Sequence, residues 1–140
     1  MNQATLTPAA RADTLVSAYE RAGYVRAGAA MLQPAEPFLD LSGEEIRRRM
    51  YLVTDSTGKE LCLRPDLTIP VARDYLASSA VGQPAKFCYL GPVFRDGEGA
   101  SGEFLQAGIE SFGRADTAEA DAEAIDRLVA SRSIAVIVAT

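Results

Sequence analysis

Three kinds of side chain on neighbouring segments give this chain its chemical possibilities. In the stretch GEFLQAGIESFG, Gly102 to Gly113, residues alternate with a period of two. Phe104, Gln106, Gly108, Glu110 and Phe112 fall on one side of a strand, and Leu105, Ala107, Ile109 and Ser111 on the other. The second side is apolar and reads as core. The first places an amide and a carboxylate around a glycine that has no side chain, which makes the floor of a small polar cavity on a rigid element. An inward carboxylate costs several kcal/mol unless something pairs with it, and a ligand ammonium would do so. The competing reading is an outer strand whose polar face meets water. Arg95 ends the preceding strand. If the two strands pair, its planar fork joins Gln106 and Glu110 in one cavity and suits a carboxylate or phosphate; otherwise it is a strand-end arginine in water. Asp66 follows Arg64 and Pro65 and precedes a helix at Thr68. A helix-start acid has a plain structural role, and it could also point to the same cavity.

Other patterns carry less chemistry. Gly97, Gly99 and Gly102 spell G-x-G-x-x-G, but the segment that follows alternates like a strand. No helix N-terminus is then available for a pyrophosphate, and a hairpin loop is the better reading. Arg47, Arg48 and Arg49 follow Glu44 and Glu45 at helical pairing distance, so a solvated helix face accounts for them without nucleic acid. Histidine is absent. Serine–histidine and cysteine–histidine catalysis and histidine metal ligands are thereby removed. No catalytic residue and no metal ligand is assigned. Cys62 and Cys88 sit alone in apolar runs and read as buried reduced thiols.

The elements that must position these groups can be read from the same chain. Pro8 to Ala22 is an amphipathic helix, with Thr7 as its cap and Gly23 at its end. Tyr24 to Leu32 is a weaker strand, broken by Gly28, and Gln33 to Pro37 is a proline-interrupted connection. Ser42 to Arg49 reads as a helix with Ser42 and Glu45 as a capping box. Met50 to Thr54 and Glu60 to Leu63 flank the turn Asp55–Ser56–Thr57–Gly58 as a hairpin. A helix runs from Leu67 or Thr68 to Ser78, and Lys86 to Arg95 is a strand. A loop from Asp96 to Gly102 leads into the alternating strand. Asp116 and Glu119 cap a last helix reaching Arg132, and Ile134 to Val138 is a final apolar run. This order predicts an α+β arrangement, an antiparallel sheet with helices on one side.

The whole chain has 140 residues, one domain or part of one, with 48% hydrophobic and 24% charged residues, the balance of a soluble globular protein. Its net charge of −5 opposes a broad nucleic-acid surface. No run approaches the roughly 20 apolar residues of a membrane span, and no signal-peptide pattern opens the chain. The cytoplasm is the expected compartment.

CLRPDLTIPVARDYL, Cys62 to Leu76, and FCYLGPVFRDGEGASGEFLQAGIESFG, Phe87 to Gly113, resemble the catalytic-domain fold of histidyl-tRNA synthetases. LRPDLT with its aspartate, QPAEPFLDLSGEEIRRRMY at Gln33 to Tyr51, and EADAEAI at Glu119 to Ile125 are more similar to the synthetase-like regulatory subunits of ATP phosphoribosyltransferase. The resemblance implies a class II synthetase-like antiparallel sheet flanked by helices, with residues 1–140 as the N-terminal portion of such a domain, incomplete at the C-terminus. It implies a cytoplasmic, non-catalytic subunit without cofactor. That subunit would self-associate as a dimer and join the short form of the catalytic chain in the first step of histidine biosynthesis, a step inhibited by histidine. For the amino-acid pocket it implies Asp66, Leu67 and Thr68 from LRPDLT, Arg95 from the strand before the loop, and Gln106 and Glu110 from the strand after it. In the synthetases these positions hold the ammonium, the carboxylate and the reacting carbonyl of histidine, so L-histidine is the implied ligand.

Two departures matter. No basic residue lies between Arg95 and Arg114, whereas Asp96, Glu98 and Glu103 do. Carboxylates beside a triphosphate repel it. Ala30 stands where the proline of the first class II motif is expected, with Pro34 nearest, and this weakens the case for the dimer. The alternatives are a fragment of a histidyl-tRNA synthetase and a truncated product without function.

Overall fold

Thr7 starts the first helix as its composition requires. Its Oγ1 accepts from the Ala10 N–H at 3.2 Å, and Pro8 fills the first position, where no N–H is needed. The computed structural model describes residues 7–97, 101–113 and 136–139. Helix α1 runs Pro8–Arg21 and buries Ala12, Leu15, Val16 and Tyr19 along one stripe. Strands β1 (Val25–Arg26) and β2 (Leu32–Pro34) follow, then helices α2 (Ala35–Leu41) and α3 (Glu44–Arg48). Strands β3 (Leu52–Thr54) and β4 (Glu60–Leu63) form the expected hairpin. Helix α4 is Thr68–Ala77, and strands β5 (Ala85–Phe94), β6 (Glu103–Phe112) and β7 (Val136–Ala139) complete the described elements.

The main sheet has the order β1–β5–β6–β7. Its centre is the antiparallel pair β5/β6, in register from Ala85↔Phe112 to Phe94↔Glu103. β1 joins β5 and β7 joins β6 in parallel. A second, antiparallel sheet has the order β2–β4–β3. The fold is α+β, a sheet flanked by helices.

The helices cover both faces of the main sheet, not one. Leu15, Val16 and Tyr19 of α1 pack with Tyr24, Cys88, Ala107 and Ile109 on one face. Leu67 and Val71, at the start of α4, pack with Tyr89 and Val93 on the other. Alternate residues of β5 and β6 are apolar in both directions, so a single helical layer would leave one face in water. A third cluster, Ala35, Phe38 and Cys62, joins α2 to the small sheet.

Four expectations change in detail. Tyr24 to Leu32 divides into β1 and β2. The proline-interrupted connection is largely helix: Pro34 is the cap of α2 and Pro37 lies in its first turn, where the missing N–H costs nothing. Ser42 does not cap α3. It is extended, ends α2 through its N–H to Phe38 O, and leaves Gly43 as the unassisted cap of α3. The apolar run near the C-terminus supplies β7, which pairs in parallel with β6 and not antiparallel. The helix expected from Asp116 to Arg132 lies outside the described residues.

The glycine-rich segment leads from strand into strand, as a hairpin loop does. The Arg95 N–H bonds to Gly102 O at 2.8 Å, and Gly102 has φ +74 with the Tyr51 hydroxyl where a side chain would begin. A residue with a Cβ is strained at that dihedral and would have to displace the Tyr51 hydroxyl.

Candidate functional site

The site is built where α4 begins above the β5/β6 pair. Registry sets one sheet face: Gln106 is opposite Gly91, Gly108 opposite Tyr89, and Glu110 opposite Phe87. Gly91 has a steric role. A Cβ there would stand 2.7 Å from Arg64 Nη2, so the bare glycine lets the Arg64 guanidinium lie across the strand. Arg64 is 5% exposed and uses that position fully. Its Nε donates to Pro92 O at 2.9 Å and its Nη1 to Ala29 O, while its own N–H reaches Met31 O and its carbonyl accepts from the Phe94 N–H. The turn Pro65–Asp66–Leu67 is thereby fixed above the sheet. Arg95 Nε adds a bond to Pro65 O at 2.9 Å.

From that turn the polar groups meet in sequence. Asp66 Oδ1 accepts from the Ile69 N–H at 3.0 Å, the helix-start role expected of it. The Leu67 N–H donates to Gln106 Oε1 at 2.7 Å, whereas the Leu67 side chain belongs to the core. Thr68 Oγ1 lies 3.0 Å from the Tyr89 hydroxyl, which donates to Glu110 Oε1 at 3.3 Å. Gln106 and Glu110 are each 1% exposed. Gln106 Nε2 makes no hydrogen bond among the described residues. A buried donor left unpaired costs about 1–3 kcal/mol.

Electrostatics sharpen the picture. Burial pushes the Glu110 carboxyl up to about 7; the Thr68 and Tyr89 hydroxyls oppose that rise, and the charge of Asp66 adds to it. Burial likewise raises Asp66, against its bond to Ile69, the nearby Arg95 and the Thr68 N–H. Burial and the Glu110 charge raise the Tyr89 hydroxyl. Two acidic groups therefore lie within reach of each other, with no salt bridge to either among the described residues. The arrangement can accept a cationic head at Glu110 and an acceptor at Gln106 Nε2.

Asp66, Leu67, Thr68, Gln106 and Glu110 come together as expected. Arg95 shares their sheet face without pairing with Glu110. It is opposite Gly102, eight positions and about 25 Å of strand from Glu110. Its guanidinium lies over Phe104, 5.4 Å from the ring centroid, and its charge acts on Asp66. Two contributors escaped the sequence reading. Tyr89 has the right strand parity, but an aromatic residue in an apolar run reads as core. Arg64 gave no signal, because its partners are carbonyls distant in sequence. Among the described residues, no group of three or more acidic or cysteine side chains could hold a metal. The thiols of Cys62 and Cys88 are free and buried, and burial pushes each up to about 11.

Residues 4–138 match the family model of histidyl-tRNA synthetase. The ATP phosphoribosyltransferase regulatory subunit of Mesorhizobium japonicum is 53% identical over 69% of this chain and 26% of its own length. The protein of the same name from Sinorhizobium medicae is 46% identical over 81% of this chain and 30% of its own. The chain thus spans less than a third of these relatives. Among solved structures, an ATP phosphoribosyltransferase regulatory subunit/histidyl-tRNA synthetase of Bacillus halodurans superposes with a TM-score of 0.73 at 29% identity, covering 86% of this chain and 32% of that one. A histidine–tRNA ligase subunit of Alicyclobacillus acidocaldarius gives 0.71 at 25% identity, covering 94% and 39%.

Proposed function

Since the chain belongs to the histidyl-tRNA synthetase family, and its curated relatives are regulatory subunits of ATP phosphoribosyltransferase, we propose that it works as a non-catalytic regulatory subunit of that enzyme. In this reading it joins the short catalytic chain, activates it, and contributes to feedback control by histidine in the cytoplasm. The site at the start of α4 holds L-histidine: Glu110 takes the ammonium, and Gln106 Nε2 donates to a ligand acceptor. Asp66 and Thr68 complete the wall, and Arg95 reaches the site through Asp66. Copies of the subunit pair as a dimer.

One observation carries the non-catalytic part. Past Arg95, the loop that joins β5 to β6 contains Asp96 and Glu98, Glu103 opens β6, and no further base occurs before Arg114. A site for a triphosphate needs the opposite charge. The synthetase reading has support of its own in the name of the family and of the Bacillus structure. Histidine-driven ATP–pyrophosphate exchange separates the two. The regulatory reading expects none, and expects the full chain to raise the activity of the short catalytic subunit in a histidine-sensitive way. Exchange above background, or no effect on that activity, would overturn it. No described helix is long and apolar enough to cross a membrane.

A further inference from the structure

The described side chains around Glu110 leave its charge uncompensated. From β5 it faces Phe87 across the strand pair and the Tyr89 hydroxyl along the diagonal. From the start of α4 it faces Thr68, with the carboxyl of Asp66 beyond, and the nearest described cation acting on that group of acids is Arg95, which reaches Asp66. On its other side β7 reads VIVA, four residues that do not ionise. A carboxylate 1% exposed in such surroundings has three ways to avoid an isolated charge: a cation, a metal or a proton. Within the described chain only the proton is at hand. Tyr89 donates to Oε1, and the Thr68 hydroxyl, which can accept as well as donate, is the carboxyl's other side-chain partner.

We propose that the site exchanges a proton for its ligand: the ligand-free protein holds Glu110 as the neutral acid, and an ammonium-bearing ligand binds as that proton leaves to solvent. The exchange rests on the reading of this buried cluster as an ammonium site. It balances simply. A neutral acid and an ammonium become a carboxylate–ammonium pair and one released proton. The carboxyl titrates near 7, so coupling falls in the neutral range. Well below that value affinity climbs about ten-fold per pH unit, and above it the dependence fades. Such a site reads ligand concentration and proton concentration together.

Infrared spectra of the ligand-free full chain test the first half. A neutral-carboxyl band should persist above pH 6, disappear as the pH rises through about 7 to 8, and be missing in Glu110→Gln but kept in Asp66→Asn. Tyr89→Phe removes a donor to the carboxylate and should move the disappearance to higher pH. Titration calorimetry with L-histidine in phosphate and in Tris tests the second half. The buffer-dependent heat should report about half a proton released per site near pH 7 and little by pH 8.5. A wild-type spectrum indistinguishable from that of Glu110→Gln overturns the proposal whatever the ligand does. Binding without buffer dependence overturns the exchange and leaves the ammonium site standing. The expected band together with no heat from L-histidine overturns the reading of the ligand, and the exchange with it.

Discussion

Glu110 shows how a single residue can link stability to pH. Its carboxyl lies near 7 in the folded chain, against 4.5 for a free glutamate. The folded state therefore holds the proton more tightly than the unfolded state. This stabilisation is complete below about pH 4.5 and is lost as the pH rises through about 7. Compared with Glu110→Gln, the wild type should lose stability between pH 5 and 7 by at most about 1.4 kcal/mol per unit, and the difference should level off above that range. Urea titrations of both proteins across this range check the slope; a slope of opposite sign would contradict the burial of a neutral acid. The same substitution should weaken L-histidine binding by about 1.5–3 kcal/mol, the scale of a hydrogen bond to a charged group. Calorimetry at pH 8, where the wild-type site is ionised, measures it. Gln106 and Glu110 were visible in sequence because parity alone put them on one face. Tyr89 was not, since nothing local separates a hydroxyl aimed at a carboxyl from one aimed at solvent.

Among the elements, the β5/β6 hairpin positions everything else. Its loop depends on Gly102, where a side chain would be strained at φ +74 and would have to displace the Tyr51 hydroxyl. Tyr51 also reaches Asp96 Oδ1 at 3.4 Å, and the Asp96 N–H bonds to Arg49 O at 2.8 Å, so the loop is tied to the segment before β3. Gly102→Ala should destabilise the protein by about 1–3 kcal/mol through strain and overpacking together. Thermal melting should detect it, and an unchanged midpoint would show that the loop yields easily. Local chemistry made α1, the β3/β4 hairpin and α4 legible: a threonine cap, an Asp-to-Gly turn, and an amphipathic run whose one proline, Pro70, falls in the first turn. It misled around Ser42. Two short helices meet there, and the residue that resembles the cap of the second is spent ending the first.

For the whole molecule the main question is how two sheets act as one scaffold. Arg64 is the staple. Its N–H goes to Met31 next to the small sheet, its carbonyl to Phe94 of the large one, and its guanidinium to Ala29 and Pro92. Arg64→Met keeps the bulk and leaves two part-buried carbonyls without donors, a loss of about 1–3 kcal/mol. Arg64→Lys should restore little, because an ammonium cannot reproduce the fork. Equilibrium unfolding of the three proteins tests this. Equal stability of the methionine variant would mean that water replaces the guanidinium without cost.

The sequence by itself determined the fold class, most of the elements, the faces of β5 and β6 and the candidate residues Asp66, Thr68, Gln106 and Glu110. All but Thr68, which the family resemblance supplied, follow from periodicity, capping and turn chemistry, which act over a few residues. The tertiary structure decided that helices cover both sheet faces, that Arg95 ends up with Pro65 and Asp66 instead of Glu110, and that Arg64 and Tyr89 belong to the site. These depend on registry and on bonds between residues 20 to 35 positions apart, and only the folded backbone brings such partners within 3 Å or so of one another.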